Sequence, residues 1–382
     1  MTDTSRTNDT GRRDDGAPTE AAAASRRSFL KGLGTAAAAS GLISAPGLSV
    51  LDAEAGDTGR IGGEASPLSR APAPQVAADP TDLPPPVDWT TPRTHDISLT
   101  AEEVTAEIEP GVEFTYMTFG GQVPGPMIRV RRGDTIRFSL ENLPKSSMPH
   151  NIDFHAVYGT GGGADATMVP PGQSEAITFK ATYPGAYIYH CAVPNLDYHI
   201  SSGMFGMIVV EPKSGLPPVD REFYLSQQEV YTDTPTGKKG THSFDFEAMT
   251  REDPTYVLLN GQKHALTDSA HGAMRTNVGD TARVFFVNGG PNLTSSFHPI
   301  GNVWTKAWRE GAIQSEPGRQ VQTMTVAPGS CGIFEMEFPV PETIKLVDHA
   351  LSRVVRKGFL GKIKVEGPSQ PGIYDPDPEA SA

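Results

Sequence analysis

Short apolar runs that alternate with turn residues recur along most of the chain from about residue 87. Helical periodicity is sparse, and Gly (40) and Pro (34) are abundant among the 382 residues. Runs such as Tyr187-Ile188-Tyr189, bounded by turn residues at regular spacing, are typical of strands in a β-sandwich. The pattern therefore predicts an all-β protein.

A second pattern is an internal repeat. Four pairs of segments align in the same order, and their offsets grow slowly, as insertions in loops would make them. The pairs are 133–138 with 279–284, a segment ending at His150 with one ending at His298, 169–172 with 326–329, and His190-Cys191 with His349-Ala350. The repeat predicts two tandem Greek-key β-sandwiches, at 87–213 and 217–368, followed by a polar tail at 369–382.

The beginning of the chain carries an export pattern at 1–51. Arg26-Arg27 precedes a mildly apolar stretch rich in Ala and Gly, which is typical of a twin-arginine signal. Gly, Ser and Pro interrupt that stretch, so a membrane span is not expected. Residues 52–86 are rich in Pro, Ala, Gly and Asp, and predict a disordered, flexible linker. We therefore expect export by the twin-arginine route, to the periplasm or the outer face of the cytoplasmic membrane.

The charge balance narrows the possible partners. The formal net charge is −13, which disfavours nucleic acid and anionic membranes. An anionic substrate would need local positive charge at its site. A bound metal ion supplies such a charge.

Potential metal ligands are concentrated in one segment of the first half. Four of the ten histidines, one of the two cysteines and a methionine lie within 55 residues. They are His150, His155, His190, Cys191, His199 and Met204. Two cysteines exclude a disulfide framework, and Cys331 has no ligand-type neighbours, so it is interpreted as a small core residue.

Strand geometry separates these ligands into two sets. Successive side chains of a strand point to opposite faces, so His190 and Cys191 are expected to face opposite ways. His150 and His155 differ by an odd number of residues and are also expected on opposite faces, whereas Asp153 shares the face of His155. The chain thus predicts two sites, back to back on the same strands.

The first site collects four ligands of mixed softness. They are His150, Cys191, His199 and Met204. Two imidazoles, a thiolate and a weak thioether form the ligand set of an electron-transfer copper. Zinc is the competitor for His and Cys, but the methionine and the lack of a second nearby cysteine argue against it.

The second site begins with His155 and His190 and needs a third ligand. The repeat aligns His349 with His190, and Ala350 with Cys191, so the second half could keep a histidine but not a thiolate. Three histidines with one open coordination position describe a catalytic metal site. The residues leave open whether His349 comes from the same chain or from another.

Several strings resemble the copper-containing nitrite reductases over roughly residues 87–367. They are His-Asn-Ile-Asp-Phe-His at 150–155, Tyr-His-Cys-Ala at 189–192, 199–206, 296–300 and Asp-His-Ala at 348–350. The resemblance implies cupredoxin-like sandwiches with two copper ions per chain, type 1 at the first site and type 2 at the second. It also implies a homotrimer in which His349 comes from the neighbouring chain. The loop from Cys191 to His199 is one residue shorter than in the best-known members, which indicates a short-loop branch.

The resemblance also implies an activity. The type 2 site would reduce nitrite to nitric oxide and water with one electron and two protons. Asp153 and His298 would deliver the protons, and Ile300 would be an apolar lid over the substrate. The electron would come from a small cupredoxin or cytochrome c and would pass from Cys191 to His190.

Two other functions compete with this interpretation. A two-domain multicopper oxidase of laccase type needs a three-copper cluster held by His-x-His pairs and a His-Cys-His triplet. Ala192 follows Cys191 here, and the chain has no His-x-His. A plain electron carrier would use only the first site and would leave His155 and His349 without a role. The sequence disfavours both.

Overall fold

The protein is described by a computed structural model over residues 75–267 and 271–377. The regular structure of these residues consists mainly of strands in four sheets, with two short helices, α1 (Leu196–Ser201) and α2 (Phe246–Thr250). Three 3₁₀ segments lie at Thr160–Ala166, Arg309–Gly311 and Leu351–Arg353. The predicted all-β class is confirmed.

The first sandwich is built from eight strands. They are β1 (Thr94–Glu109), β2 (Val112–Phe119), β3 (Ile128–Arg131), β4 (Thr135–Asn142), β5 (Asp153–Phe154), β6 (Ser174–Lys180), β7 (Gly185–His190) and β8 (Phe205–Glu211). One sheet has the order β2-β1-β4-β6 and the other β3-β8-β7-β5. Side chains on β4 alternate, with Ile136, Phe138 and Leu140 buried, because one face of the strand meets the opposite sheet.

The second sandwich contains most of the remaining strands. They are β9 (Arg221–Val230), β10 (Gly240–Thr241), β11 (Tyr256–Leu259), β12 (Met274–Asn277), β13 (Thr281–Gly290), β14 (Ser295–Ile300), β15 (Trp304–Trp308), β16 (Gly318–Val321), β17 (Met324–Val326), β18 (Ser330–Glu337), β19 (Glu342–Asp348) and β20 (Leu360–Glu366). Its sheets have the orders β11-β9-β13-β18-β15-β16 and β12-β20-β19-β14-β17. The short strand β10 instead joins the edge of β2 in the first sandwich.

The two sandwiches share one strand arrangement. β1 runs parallel to β4 as β9 runs parallel to β13, and β3 runs parallel to β8 as β12 runs parallel to β20. The antiparallel neighbours β7–β8 and β19–β20 also correspond. This arrangement supports the predicted two-sandwich architecture.

The strand register corrects the predicted alignment of His349 with His190. His190 lies opposite Phe205, the first residue of β8, and Val347 lies opposite Leu360, the first residue of β20. Val347 is therefore the positional counterpart of His190. His349 lies two residues further on, after the end of β19. The histidines matched by residue type, but they do not occupy the same place in the sheet.

The alignment of His150 with His298 is corrected in the same way. His150 forms a bridge to Val169, and Ser295 forms the corresponding bridge to Val326. His298 thus lies three residues beyond the counterpart of His150. An inserted or deleted loop residue shifts such a comparison, because only the strand pairing fixes the register.

Chain that was predicted to be a flexible linker packs against both sandwiches. The Val76 carbonyl accepts a hydrogen bond from the Val123 amide at 2.8 Å, and the Pro80 carbonyl accepts one from the Tyr224 amide at 2.8 Å. Val76 is fully buried. Flexibility is therefore the wrong expectation for 75–86, whose backbone groups are bonded to the first and second halves of the fold.

Buried charges also join the two halves. Arg129 bonds Glu211 at 2.6 Å and Glu222 at 2.6 Å, while Arg283 bonds Glu222 at 2.9 Å and Glu335 at 2.6 Å. Each buried guanidinium thus has carboxylate partners, as burial of a charge requires. The network holds one sandwich in a defined orientation on the other.

Three predicted segments lie wholly or partly outside the described residues. They are the export signal at 1–51, the linker before residue 75 and the end of the tail after residue 377. The described part of the tail has a turn in which the Ile373 amide donates to the Gln370 carbonyl at 2.9 Å. Among the described residues, no helix is long and apolar enough to cross a membrane.

Candidate metal centres

The pairing of β5 with β7 divides the predicted ligands between two sides of one sheet. Asp153 lies opposite His190, and Phe154 lies opposite Tyr189. Because side chains alternate along both strands, His190 turns to the side of Asp153, while the next residue, Cys191, turns into the first sandwich. The predicted separation into two sites is what the structure contains.

The first centre lies inside the first sandwich. The Cys191 Sγ atom is 3.8 Å from the His150 Nδ1 atom and 3.5 Å from the His199 Nδ1 atom. All three side chains are fully buried, as is Met204. The Met204 carbonyl accepts the Cys191 amide at 3.1 Å, and the Met204 amide donates to the His199 carbonyl at 3.0 Å. The structure brings the four predicted residues together.

Burial sets the protonation of this centre. It lowers the pKa of His150 to about 4, with a smaller contribution from His199, and it lowers the pKa of His199 as well. It raises the pKa of the Cys191 thiol to about 11 against backbone hydrogen bonds that lower it. The imidazoles are therefore neutral donors, and a bound cation would displace the thiol proton. Two nitrogens, a sulfur and a thioether in a dry site fit copper.

Neighbouring groups that the sequence did not identify orient the ligands. The Asn151 side-chain oxygen accepts the Ala192 amide at 2.7 Å and lies 3.7 Å from the Cys191 sulfur. Asn151, which follows His150, is thereby bonded to the segment that follows Cys191. Its place directly after His150 in the sequence is the signal that could have indicated this role.

The second sandwich holds the loop that carries His199. Gln228 donates to the Ser201 carbonyl at 2.7 Å, and the Ser201 hydroxyl donates to the Glu229 carbonyl at 2.6 Å. Gly203 has φ +118°, and a Cβ there would lie 2.6 Å from Val123. The short loop between the ligands is thus fixed by contacts from β9 and by close packing.

The second centre lies on the outer side of the same strands. The Nε2 atoms of His155 and His190 are 3.1 Å apart, and the Asp153 carboxylate lies 4.0 Å from the His190 Nε2 atom. His190 is buried, and His155 is the more exposed of the two residues, although the strands cover part of its ring. Burial and the neighbouring His190 lower the pKa of His155, and Asp153 partly opposes that change. Two converging nitrogens beside a carboxylate fit a cation that keeps open coordination positions.

His349 lies apart from this pair within one chain. Among the described residues, the group at the second centre contains Asp153, His155 and His190. His349 is exposed and lies beside His298 instead, with ring centroids 5.4 Å apart. The predicted second site is therefore only partly assembled by a single chain.

His349 and His298 are nevertheless held firmly. The His298 Nδ1 atom lies 2.6 Å from the Gln322 carbonyl, so Nδ1 carries the proton and donates. The His349 amide donates to the Ser296 carbonyl at 2.8 Å. Ile300, the predicted lid, lies two residues from His298 on β14 and is 39% exposed, so it faces the same side as His298.

A buried ion pair fixes the backbone around His349. Asp348 is fully buried and accepts the Ser296 amide at 3.2 Å and the Ala350 amide at 2.9 Å. Arg353 donates to the same carboxylate at 2.6 Å. In the sequence, Asp348 is distinguished only as part of the string Asp-His-Ala at 348–350, because its burial and its partners arise only in the folded chain.

The fold and the two donor sets define a copper protein of two cupredoxin-like sandwiches. A family model described as multicopper oxidase matches residues 100–215. A copper-containing nitrite reductase from Neisseria meningitidis is 44% identical over 298 residues, which cover 78% of this chain and 75% of that protein. This chain belongs to the family of copper-containing nitrite reductases, which are oxidoreductases.

Solved structures agree with this assignment. The copper nitrite reductase from Nitrosomonas europaea is 31% identical, with a TM-score of 0.64, and the match covers 73% of this chain and 96% of that one. A structure of a multicopper oxidase is 26% identical with a TM-score of 0.64, covering 76% of this chain and 98% of that chain. The two-sandwich fold is thus shared with both kinds of copper protein.

Proposed function

We propose that this chain reduces nitrite to nitric oxide. One nitrite ion, one electron and two protons give one nitric oxide and one water. The observation that carries the proposal is the pair His190-Cys191, in which one peptide unit joins a buried thiol–imidazole centre to a partly exposed imidazole–carboxylate centre. An electron accepted at the first centre has a short covalent route to the second.

The residues divide the chemistry between them. His150, Cys191, His199 and Met204 would hold type 1 copper, and His155, His190 and His349 would hold type 2 copper. Copper at these sites supplies one-electron transfer at the first and positive charge that polarises an N–O bond at the second. The protein residues must then bind nitrite and move two protons.

Asp153 and His298 are proposed as the proton donors. The Asp153 carboxylate lies on the side of His155 and His190, where it can bond an oxygen of bound nitrite. His298 shares its surface with His349, and its Nδ1 atom is occupied by the Gln322 carbonyl, so Nε2 is the atom that would face the substrate. Ile300 would limit how nitrite lies at the centre.

The second centre is proposed to form between chains of a homotrimer. Support comes from the separation of His349 from His155 and from the exposure of both side chains. Sedimentation should then give three chains per particle.

Mixing two inactive variants tests this shared site. His155→Ala and His349→Ala should each lack activity, but trimers reassembled from both should regain it, because one interface then unites an intact His155 with an intact His349. A site within one chain predicts no recovery on mixing.

The direct test of the function is nitric oxide evolution from nitrite with a chemically reduced donor. The copper-loaded protein should show two copper EPR signals, one of them altered by nitrite. His349→Ala should abolish nitric oxide while the visible colour of the first centre persists. Retention of full activity by that variant would reject the assignment of the second centre.

A small cupredoxin or cytochrome c is proposed as the electron donor. Tyr198, next to His199 on α1, contacts Phe246 with ring centroids 5.1 Å apart, and Leu196 and Phe246 are 46% and 50% exposed. These apolar side chains suit a transient redox encounter. Loss of donor-dependent turnover in Phe246→Glu, with dithionite-dependent turnover unchanged, would support the proposal.

Export by the twin-arginine route is proposed from Arg26-Arg27, with delivery to the periplasm or the outer face of the cytoplasmic membrane. Replacing both arginines by lysine should leave the protein in the cytoplasm. Cell fractionation measures this outcome directly, and unchanged delivery would contradict it.

A further inference from the structure

A glycine-rich loop closes over the carboxylate of Asp153. The loop includes the 3₁₀ segment Thr160–Ala166, in which three successive glycines adopt non-helical, positive-φ conformations. A Cβ atom built on Gly162 would overlap the Asp153 Oδ1 atom and would lie 2.8 Å from the Phe154 carbonyl oxygen. The backbone of Gly162 therefore lies directly against the side chain that is proposed to deliver a proton.

Packing rather than hydrogen bonding restrains this carboxylate. Among the described residues, the contact of the Asp153 carboxylate with His190 is a charge contact at 4.0 Å, and no side chain or amide donates a hydrogen bond to it. Its Oδ2 atom faces His190 while its Oδ1 atom faces Gly162. The loop thus limits the rotation that would carry the carboxylate away from the second centre.

The loop is held on the opposite side as well. A Cβ on Gly163 would lie 2.6 Å from the Ile177 Cδ1 atom, so the loop rests on β6. The buried Thr167 hydroxyl donates to the Gly163 carbonyl at 3.0 Å and accepts the Ile152 amide at 3.1 Å. The segment is fixed between the strand of Asp153 and the opposite sheet, and it has little room to retreat.

We propose that Gly162 is a positioning residue for Asp153. Because it lacks a side chain, the loop can approach closely and keep the carboxylate beside His155 and His190. A methyl group at this position would occupy the place of Oδ1 and turn the carboxylate away. This inference rests on the proposed proton-donor role of Asp153, and it adds the reason why that side chain keeps its orientation.

Gly161 supplies a matched control. Its φ of +56° equals that of Gly162, +58°, within two degrees, so an alanine suffers the same backbone strain at either position. A Cβ on Gly161 meets Ala164 and Asp165 only at 3.4 Å, which is ordinary contact. The two alanine variants therefore differ in what the new methyl group meets, which is the Asp153 carboxylate and the Phe154 carbonyl oxygen in Gly162→Ala alone.

The test compares kcat and KM for nitrite in the copper-loaded trimer. Gly162→Ala should lower kcat by roughly 10- to 100-fold, the scale of a misplaced catalytic group, with a smaller change in KM. Gly161→Ala should stay within about twofold of the wild type. Both variants should keep full copper content and an unchanged type 1 visible spectrum. Equal losses in the two variants would overturn the inference.

A double-variant cycle separates this idea from general damage to the loop. In an Asp153→Ala background, Gly162→Ala should lower kcat by less than about twofold further, because the carboxylate that it displaces is gone. A full additional loss in that background would overturn the inference. If Asp153→Ala itself leaves nitrite turnover unchanged, the proposed proton role fails instead.

A third variant keeps the test open if Gly162→Ala does not fold. Ile177→Val removes the Cδ1 methyl group on which the loop rests and leaves the backbone untouched. The loop then gains room, and kcat should fall by roughly two- to fivefold at constant copper content. An unchanged kcat in Ile177→Val would contradict the packing restraint.

Discussion

Removal of the Asp348 carboxylate, next to His349, should change the free energy of unfolding by an amount that follows from its contacts. Asp348→Ala leaves the amides of Ser296 and Ala350 without their acceptor and leaves Arg353 with the Thr294 carbonyl as its remaining partner. Loss of one partner of a buried ion pair costs about 3–5 kcal/mol. The Arg353 side chain is 19% exposed, so water screens part of this cost, and about 3 kcal/mol is expected for the charge.

The two amides raise the total for the alanine variant. Ser296 and Ala350 are half-buried, so each amide that loses its acceptor should cost about 1 kcal/mol, and Asp348→Ala should lose about 5 kcal/mol of unfolding free energy in total. Asp348→Asn keeps the Oδ1 acceptor for both amides but replaces the oxygen that accepts from Arg353 by an NH2 group, so only the charge contribution of about 3 kcal/mol is lost. The alanine variant should therefore lose more unfolding free energy than the asparagine variant, because it loses the two amide hydrogen bonds as well as the charge.

Chemical denaturation and copper analysis provide the assay. The backbone around His349 loses both amide hydrogen bonds in Asp348→Ala and keeps them in Asp348→Asn, so type 2 copper content should fall further in the alanine variant, while the type 1 colour persists in both. Asp96→Asn is the control, because Asp96 bonds Arg137 at 2.7 Å with both side chains well exposed, and it should cost less than about 1 kcal/mol. A loss below about 1 kcal/mol in Asp348→Ala, or full type 2 copper content in that variant, would show that Asp348 does not hold the backbone around His349.

Three further predictions concern the two centres. Burial lowers the pKa of His150 to about 4, so the folded copper-free protein favours the neutral imidazole. The contribution of His150 to the free energy of unfolding should be complete above pH 6.5 and should fall by roughly 3 kcal/mol towards pH 4. In pH-dependent denaturation, His150→Gln should lack this contribution. Gln228→Ala removes the bond to the Ser201 carbonyl and should shift the type 1 absorption band and reduction potential without loss of copper, whereas an unaltered spectrum would contradict the contact. Asp153→Asn should lower nitrite turnover on the order of 10²-fold, and unchanged turnover would exclude its proton role.

Strand alternation made the ligand sets predictable from the sequence. Side-chain parity separated His190 from Cys191, and the structure has the two groups on opposite sides of β7. This separation depends only on the two-residue period of side chains along an extended chain. The all-β class followed in the same way from short apolar runs and turn residues.

The repeat was less reliable than the alternation. The prediction of two sandwiches from the repeat was correct, but the match of His349 to His190 was two residues out of register. His349 lies beyond the end of β19, where side chains no longer alternate between two faces. Only its residue type supported the alignment with His190. The family strings remain the support for His349 as a ligand.

Tertiary contacts could not be inferred from local patterns. Three contacts bring together residues whose approach depends on the whole fold. They are the ion pair of Asp348 with Arg353, the hydrogen bond from Gln228 to the Ser201 carbonyl, and the packing of Gly162 against Asp153. Composition also misread residues 75–86, because a chain rich in Pro and Ala can bond to a sheet when the folded halves offer partners. Local composition does not reveal those partners.

A single-turnover reaction tests most directly whether an electron from the first centre reduces nitrite at the second. Copper-loaded protein with its type 1 centre reduced by one electron per chain is mixed anaerobically with nitrite, and the visible band is followed together with nitric oxide. The type 1 colour should return, and one nitric oxide should form per chain. Return of the colour without nitric oxide, or nitric oxide from His349→Ala homotrimers at the same yield, would contradict this expectation.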